Sequence, residues 1–258
     1  MSELKDYQDK YRNIQFERRD GILQVTLHTD GGPLKWGSDK GCVHGQLGDA
    51  FYDIAHDTDT RVLILTGTGS VFCTELDYAQ ATEPPSATMW SRIIKEGKDL
   101  LMQLLDIEVP VIGVINGPAM IHAEIPLLSD IVLAADDAVI GDGAHLPGGV
   151  VPGDGVHVVW PALLGVNRGR YMLFTEQSFS AQQACDLGMV GEVLPRDKLL
   201  PRAWALAAKL AQKPPLSLRY TRTLLTQPLK KKLLDDLGYG LSVEGMGIAA
   251  MMESLQGK

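Results

Sequence analysis

Imidazole and carboxylate groups are concentrated in one stretch near the middle of the sequence. The stretch holds His122, Glu124, His145, Asp154 and His157. A histidine with its ordinary pKa, about 6.5, supplies a neutral base near pH 7, and a neighbouring carboxylate can fix its tautomer. The same side chains are common metal ligands, although no HExxH or comparable paired spacing is present. The stretch therefore indicates acid–base chemistry or, as the alternative, a metal-dependent hydrolase.

The charge balance excludes some partners. The 258 residues carry a formal net charge of −8, whereas binding to phosphates or to an anionic membrane surface relies on clustered Lys and Arg. We therefore expect no nucleic-acid partner and no membrane partner. The basic run at 230–232 is predicted to be a solvated face between helical segments.

The lack of a secretory signal in this sequence and the pattern of its cysteines lead us to expect a cytoplasmic protein. The N-terminal residues are strongly charged and lack the apolar region of a secretory signal. No run of about 18 apolar residues occurs in the sequence. Cys42, Cys73 and Cys185 are widely spaced and form no CxxC pair, which indicates reduced thiols.

The hydrophobic pattern predicts strands that alternate with helices through the first part of the chain. Strands are predicted at 14–18, 22–28, 62–65, 111–115 and 131–135, and helices at 39–57, 88–106 and 124–129. After about residue 155 almost every predicted element is a helix: 155–164, 167–174, 180–187, 197–212, 214–226 and 231–255. The fold class is therefore α/β, with a largely parallel sheet and a helical tail that packs on this core or on a neighbouring subunit.

Four segments resemble the crotonase (enoyl-CoA hydratase/isomerase) superfamily. They cover 61–77, 109–136, 148–165 and 179–195, and the last resembles the helix-and-turn signature of that superfamily. The resemblance implies a crotonase-like spiral of ββα units in residues 1–195. It also implies a C-terminal helical trimerisation region in residues 196–258, and a homotrimer or a dimer of trimers.

Two loops depart from the pattern of the CoA-dependent members. The first has Thr74-Glu75-Leu76 before Asp77, where those relatives carry Ala-Gly, and the second has Met120-Ile121-His122-Ala123 in place of a glycine run. Glycine lets backbone N–H groups approach a thioester oxygen closely. The substitutions therefore predict that the usual pair of amides does not form the oxyanion hole.

A narrower resemblance is to 6-oxocamphor hydrolase and related β-diketone hydrolases. It rests on Trp36, His122, His145, Asp154 and Glu244. It implies that His145 is the base that activates water and that Asp154 orients it. It also implies that His122 and Trp36 bind the substrate carbonyl, and that Glu244 takes part in catalysis in a role left open between binding water, orienting His122 and contacting the substrate.

The implied reaction is hydrolysis of a carbon–carbon bond in a nonpolar β-diketone, giving a keto acid without CoA, cofactor or metal. One alternative is a CoA-ester enoyl hydratase/isomerase, in which Glu124 would be the catalytic acid. Another is a non-catalytic binding protein on the same scaffold. Simple structural roles are also open: Asp154 as an N-cap of a helix that begins at Gly155, Trp36 as core filling, and Glu244 as an exposed helical acid.

Overall fold

The computed structural model describes residues 2–80 and 86–256. The strands are β1 (Ile14–Arg19), β2 (Ile22–Leu27), β3 (Leu34–Trp36), β4 (Val62–Gly67), β5 (Cys73–Leu76), β6 (Val111–Ile115), β7 (Ile131–Ala135), β8 (Val139–Ile140), β9 (Phe179–Ser180) and β10 (Glu192–Leu194). The helices are α1 (Leu4–Tyr7), α2 (Val43–Ala55), α3 (Ala87–Asp106), α4 (Glu124–Leu127), α5 (Val156–Leu164), α6 (Val166–Thr175), α7 (Ala181–Asp186), α8 (Arg196–Ala211) and α9 (Pro215–Gln256).

The main sheet has six strands in the order β1-β2-β4-β6-β7-β10. β1 and β2 form an antiparallel hairpin, and the other neighbours in the sheet run parallel. The hairpin turns at Asp20 and Gly21, both of which have positive φ, as the tight turn between twisted strands requires. All six residues of β4 are buried, which is typical of a parallel strand covered on both faces.

A smaller layer of short strands supports the loops next to the sheet. β3 pairs in parallel with β5, and β8 pairs antiparallel with β9. Ala119 forms bridges with both Cys73 and Ile140, which joins the two pairs through one residue. The layer therefore fixes the end of β3, the segment after β6 and the segment after β8 beside one another.

Helices cover the main sheet and form the tail. α8 contacts β2, β4, β6 and β7, whereas α2 packs on α3 and α3 packs on α9. Leu233, Leu237 and Leu241 are buried hydrophobic side chains of α9, and burial of each contributes on the order of 1.5–3 kcal/mol. The α/β arrangement with a C-terminal helical region agrees with the sequence prediction.

The structure corrects two predictions about the last third of the chain. The helices predicted at 214–226 and 231–255 are one helix, α9, which continues through Pro228. Proline removes one backbone N–H from the helix, and the packing of α9 on α3 and α5 compensates for that loss. The prediction of an almost wholly helical chain after residue 155 is wrong at β9 and β10, and β10 completes the main sheet.

The basic run at 230–232 lies inside α9 rather than between two helices. Lys231 and Lys232 are exposed, as expected, while Lys230 pairs with Asp106. Among the residues that the structure describes, no helix combines the length and apolar character needed to cross a membrane.

Candidate active site

The site begins in the segment after β6, where the chain approaches another loop very closely. A Cβ atom on Gly117 would lie 1.9 Å from the carbonyl oxygen of Ser70, so this position needs glycine. Further along this segment, the amides of Met120 and Ile121 both donate to the carbonyl of Cys73, at 2.9 and 3.1 Å. These two N–H groups are therefore occupied by protein and are not free to bind a substrate oxygen.

His122 follows in a backbone conformation that non-glycine residues seldom adopt, with φ of +51°. Its Nδ1 lies 2.7 Å from Glu124 Oε1 and 3.4 Å from Asp154 Oδ2. Its ring stacks on the indole of Trp36, with 3.7 Å between centroids and 30° between planes. Trp36 is the last residue of β3 and is 95% buried, at 5% exposure.

His145 lies between two carboxylates on the loop that follows β8. Its Nδ1 is 2.7 Å from Asp142 Oδ1, and its Nε2 is 3.3 Å from Asp154 Oδ2. The N–H of Gly143 donates to the Met120 carbonyl at 2.6 Å. The loop that carries His145 is thus fastened to the segment that carries His122.

Asp154 joins the two histidines, and its position depends on contact with α9. A Cβ atom on Gly153 would lie 2.2 Å from the Gly240 carbonyl oxygen, and one on Gly240 would lie 2.4 Å from the Gly153 oxygen. This close approach of two glycines places Asp154 beside Glu244, and both side chains are buried. Asp154 Oδ1 and Glu244 Oε2 are buried without a hydrogen-bond partner among the described residues.

The charges of the histidines follow from these contacts. Burial opposes protonation of His145, but Asp154 and Asp142 outweigh it and raise the pKa of His145 to about 12. Burial likewise opposes protonation of His122, and Glu124 and Asp154 raise its pKa. These contacts therefore favour the imidazolium form of His145 at neutral pH, whereas the sequence resemblance implies a neutral base.

The carboxyl groups divide into two kinds. Burial favours the neutral form of Asp154, but His145 and His122 hold its pKa well below the usual range. Burial raises the pKa of Glu244 to about 8, and the negative charge of Asp154 adds to this effect. At pH 7 the site thus combines an ionised aspartate with a neutral glutamic acid, a separation that is common where carboxyls take different chemical roles.

Two groups of side chains in the described residues have the composition of a cation site. One is His122, Glu124 and Asp154, and the other is His145, Asp154 and Glu244, with ligand atoms within 4.8 Å of one another in each group. However, His122 Nδ1 and His145 Nε2 already face carboxylate oxygens, so a cation would have to break ion pairs. His157 is in neither group, and its Nε2 faces the Asp236 carbonyl at 3.4 Å.

The five side chains named from the sequence lie together. Gly155 rather than Asp154 is the N-cap residue of α5, while the backbone N–H of Val156, in the first turn of α5, helps to lower the pKa of Asp154. Glu244 is buried rather than exposed. Sequence reasoning missed Asp142, whose spacing of three residues from His145 was the available signal.

A cavity of 150 Å³ reaches Trp36 and is lined by Trp36, residues 37–39 and residues 76–78. Larger cavities of 620, 470 and 360 Å³ lie beside β1 and β2, between α2 and α3, and beside the start of α9, respectively. None of these three is lined by any of the five site residues. The 150 Å³ cavity has Trp36 in its wall, and Trp36 stacks on His122.

The twisted sheet, the helical tail and the buried cluster on the loops define an α/β enzyme of the crotonase type. The chain belongs to the enoyl-CoA hydratase/isomerase family, whose model matches residues 18–243. The fold and the family expected from the sequence are thus confirmed.

Relatives within this family differ in what they act on. A β-diketone hydrolase from the cyanobacterium Anabaena sp. PCC 7120, solved with bound (S)-3-oxocyclohexyl acetic acid, is 46% identical, with a TM-score of 0.92 over 96% of this chain and 98% of that one. An enoyl-CoA hydratase/isomerase from Mycobacterium paratuberculosis is 26% identical, with a TM-score of 0.85 over 93% and 94%. The 2,3-dehydroadipyl-CoA hydratase of Escherichia coli K12 is 30% identical over 81% of this chain and 80% of its own length.

Proposed function

We propose that this enzyme hydrolyses a carbon–carbon bond of nonpolar β-diketones to give keto acids, without CoA. The observation that carries the proposal is the contact of one carboxylate, Asp154, with both His145 and His122, at 3.3 and 3.4 Å. The occupied amides of Met120 and Ile121 support it, because a thioester oxygen would need such donors free. The likeness to the Anabaena β-diketone hydrolase supports it as well.

The reaction makes two demands on the protein. Water adds to one carbonyl carbon, and the bond between that carbon and the central carbon breaks, leaving a carboxylic acid and an enolate that takes up a proton. Water must therefore lose a proton, and the negative charge that forms on oxygen must be stabilised. The site offers a pair of groups for each demand.

The His145–Asp154 pair activates water in this proposal. Because His145 carries its proton at neutral pH, the acceptor of the water proton is the carboxylate of Asp154, whose Oδ1 has no partner among the described residues. The imidazolium then gives its Nε2 proton to the enolate carbon. The proton taken up at Oδ1 returns to Nε2 of His145 once the carboxyl group of Asp154 turns, because the oxygen that now faces Nε2, at 3.3 Å, is Oδ2. This return restores the starting state.

His122 and Trp36 bind the substrate carbonyl. The Nδ1 of His122 is taken by carboxylates, so its Nε2 is the nitrogen that donates to a carbonyl oxygen. The indole of Trp36 supports the imidazole through stacking and offers a second N–H donor on an apolar surface. Glu244, neutral at pH 7 because of its raised pKa, keeps further negative charge away from the developing enolate.

The test is turnover of small substrates by the purified chain. Cyclic and linear 1,3-diketones are added, and loss of substrate is followed together with release of acid. We expect stoichiometric acid release, and no hydration of crotonyl-CoA by the same preparation. The CoA-ester alternative predicts the reverse result, hydration of crotonyl-CoA and no acid from any diketone, and that result would reject the proposal.

A further inference from the structure

We infer that Asp142 is the positioning residue of His145, fixing the imidazole from its Nδ1 side so that Nε2 faces Asp154. The catalytic meaning of this assignment rests on the proposed function, whereas the contact itself does not. The sequence resemblance implies that Asp154 orients His145. If Asp142 has that role instead, Asp154 is available to accept the proton of water.

The two nitrogens of His145 have different partners at different distances. Asp142 Oδ1 lies 2.7 Å from Nδ1, a charge-assisted hydrogen bond, whereas Asp154 Oδ2 lies 3.3 Å from Nε2. The Asp142 side chain is 8% exposed and that of His145 is 5% exposed. The shorter contact is therefore on the side away from Asp154, where a fixed partner sets the ring orientation.

Asp142 is itself held in place. Its Oδ1 also accepts from the N–H of Ala144 at 3.3 Å. On either side of it, the N–H of Gly141 donates to the Ala119 carbonyl at 3.1 Å and that of Gly143 to the Met120 carbonyl at 2.6 Å. The carboxylate is therefore anchored to the segment that leads into His122, and its position relative to both histidines is set by backbone bonds.

Other charged groups near His145 do not replace this contact. Asp154 also contacts His122, so its charge is shared between two rings. Glu244 is neutral at pH 7 because burial raises its pKa to about 8. Glu124 Oε1 is hydrogen-bonded to His122. Asp142 is the carboxylate whose ion pairing, among the described residues, is with His145 alone.

A second pair in the same site repeats the arrangement. Glu124 Oε1 lies 2.7 Å from Nδ1 of His122, as Asp142 does from Nδ1 of His145. Each histidine thus has its own carboxylate two or three residues away in the sequence, and Asp154 lies between the rings. The repetition makes Glu124 a matched comparison for a substitution at Asp142.

The experiment combines histidine NMR with kinetics on Asp142→Asn, Asp142→Glu, Glu124→Gln and Asp186→Asn. Asp186 is an exposed aspartate that accepts a hydrogen bond from Gln182, and its substitution controls for loss of a charge. We expect Asp142→Asn to lower the pKa of His145 by about 1 to 3 and to leave the resonances of His122 in place. We expect kcat to fall about 10²-fold with KM little changed.

The remaining variants sharpen the result. Asp142→Glu keeps the charge and should retain the high pKa of His145 while kcat falls less, and it serves as the test if Asp142→Asn does not fold. Glu124→Gln should move the resonances of His122 instead, and Asp186→Asn should change neither ring. An unchanged titration of His145 in Asp142→Asn, or an unchanged kcat with a changed titration, would overturn the inference. If no diketone is turned over by the unmodified enzyme, the proposed function fails while the NMR result still decides the contact.

Discussion

The two histidines of the site share one contact and differ in the other. Each Nδ1 lies 2.7 Å from a carboxylate that is close in the sequence, Asp142 for His145 and Glu124 for His122. The Nε2 of His145 then faces Asp154, whereas the Nε2 of His122 makes no hydrogen bond with another residue in the described part of the chain. His122 is instead stacked on Trp36.

This difference teaches how one residue type can serve two purposes a few ångströms apart. A histidine with both nitrogens paired is fixed in orientation, which suits repeated exchange of a proton with the neighbour that it faces. A histidine with one nitrogen unpaired can donate to a ligand without losing an existing bond. If the two rings have separate roles, substitutions at each should change different kinetic constants.

The largest effect is expected from the paired histidine and the carboxylate it faces. His145→Ala and Asp154→Asn should each lower kcat by about 10²- to 10⁴-fold, because water loses its proton acceptor or the enolate loses its proton donor. Steady-state assays with a 1,3-diketone measure this, and circular dichroism checks that each variant folds. Full activity in either variant would refute the assignment of the pair.

A smaller effect is expected at the unpaired histidine. His122→Ala should lower kcat/KM by about 10²- to 10³-fold through loss of a donor to the carbonyl oxygen. Trp36→Phe keeps an aromatic ring against His122 but removes the N–H, so it should cost about tenfold. If the loss appears in kcat alone with KM unchanged, His122 would belong to proton transfer and the contrast between the rings would fail.

The smallest effect concerns pH. Because the pKa of Glu244 is about 8 in the folded chain, activity should decline above about pH 8 as a negative charge appears beside Asp154. Glu244→Gln should remain active to higher pH, with only a modest change at pH 7. A pH–rate profile of both enzymes measures this, and a decline that persists unchanged in the variant would assign it to another group.

Glu244 also makes the folding stability depend on pH. The folded chain retains the Glu244 proton between the ordinary pKa of 4.5 and about 8, whereas the unfolded chain releases it. The unfolded state therefore binds fewer protons in this window, and this group makes stability fall as pH rises from about 4.5 to 8. Thermal unfolding at pH 5 and pH 8 should show a smaller decline for Glu244→Gln than for the unmodified chain.

The sequence predicted the parts of the fold that have strong local patterns. Asp20-Gly21 marked the hairpin, and the unbroken apolar run of β4 marked a strand covered on both faces. β10 was missed because three residues carry no readable period, and Pro228 indicated a break that packing along α9 overrides. Tertiary contacts decided both cases.

The sequence indicated which five side chains lie together, but it did not indicate all of their contacts or their charges. Resemblance to the β-diketone hydrolases supplied Trp36, His122, His145, Asp154 and Glu244, which the structure brings together. It did not supply Asp142, because the contact depends on the path of a loop outside any helix or strand. Nor did it supply the charge of His145, which depends on two carboxylates that meet only after folding.

The close approach of Gly153 and Gly240 has a consequence for recombination between relatives. The long terminal helix brings an acid, Glu244, into contact with the loop of Asp154, so α9 contributes a side chain to the buried histidine–carboxylate cluster. A chimera that takes this helix from a CoA-dependent family member would therefore change which ionisable side chain lies beside Asp154. Its activity would depend on the exchanged helix as well as on the sheet and its loops.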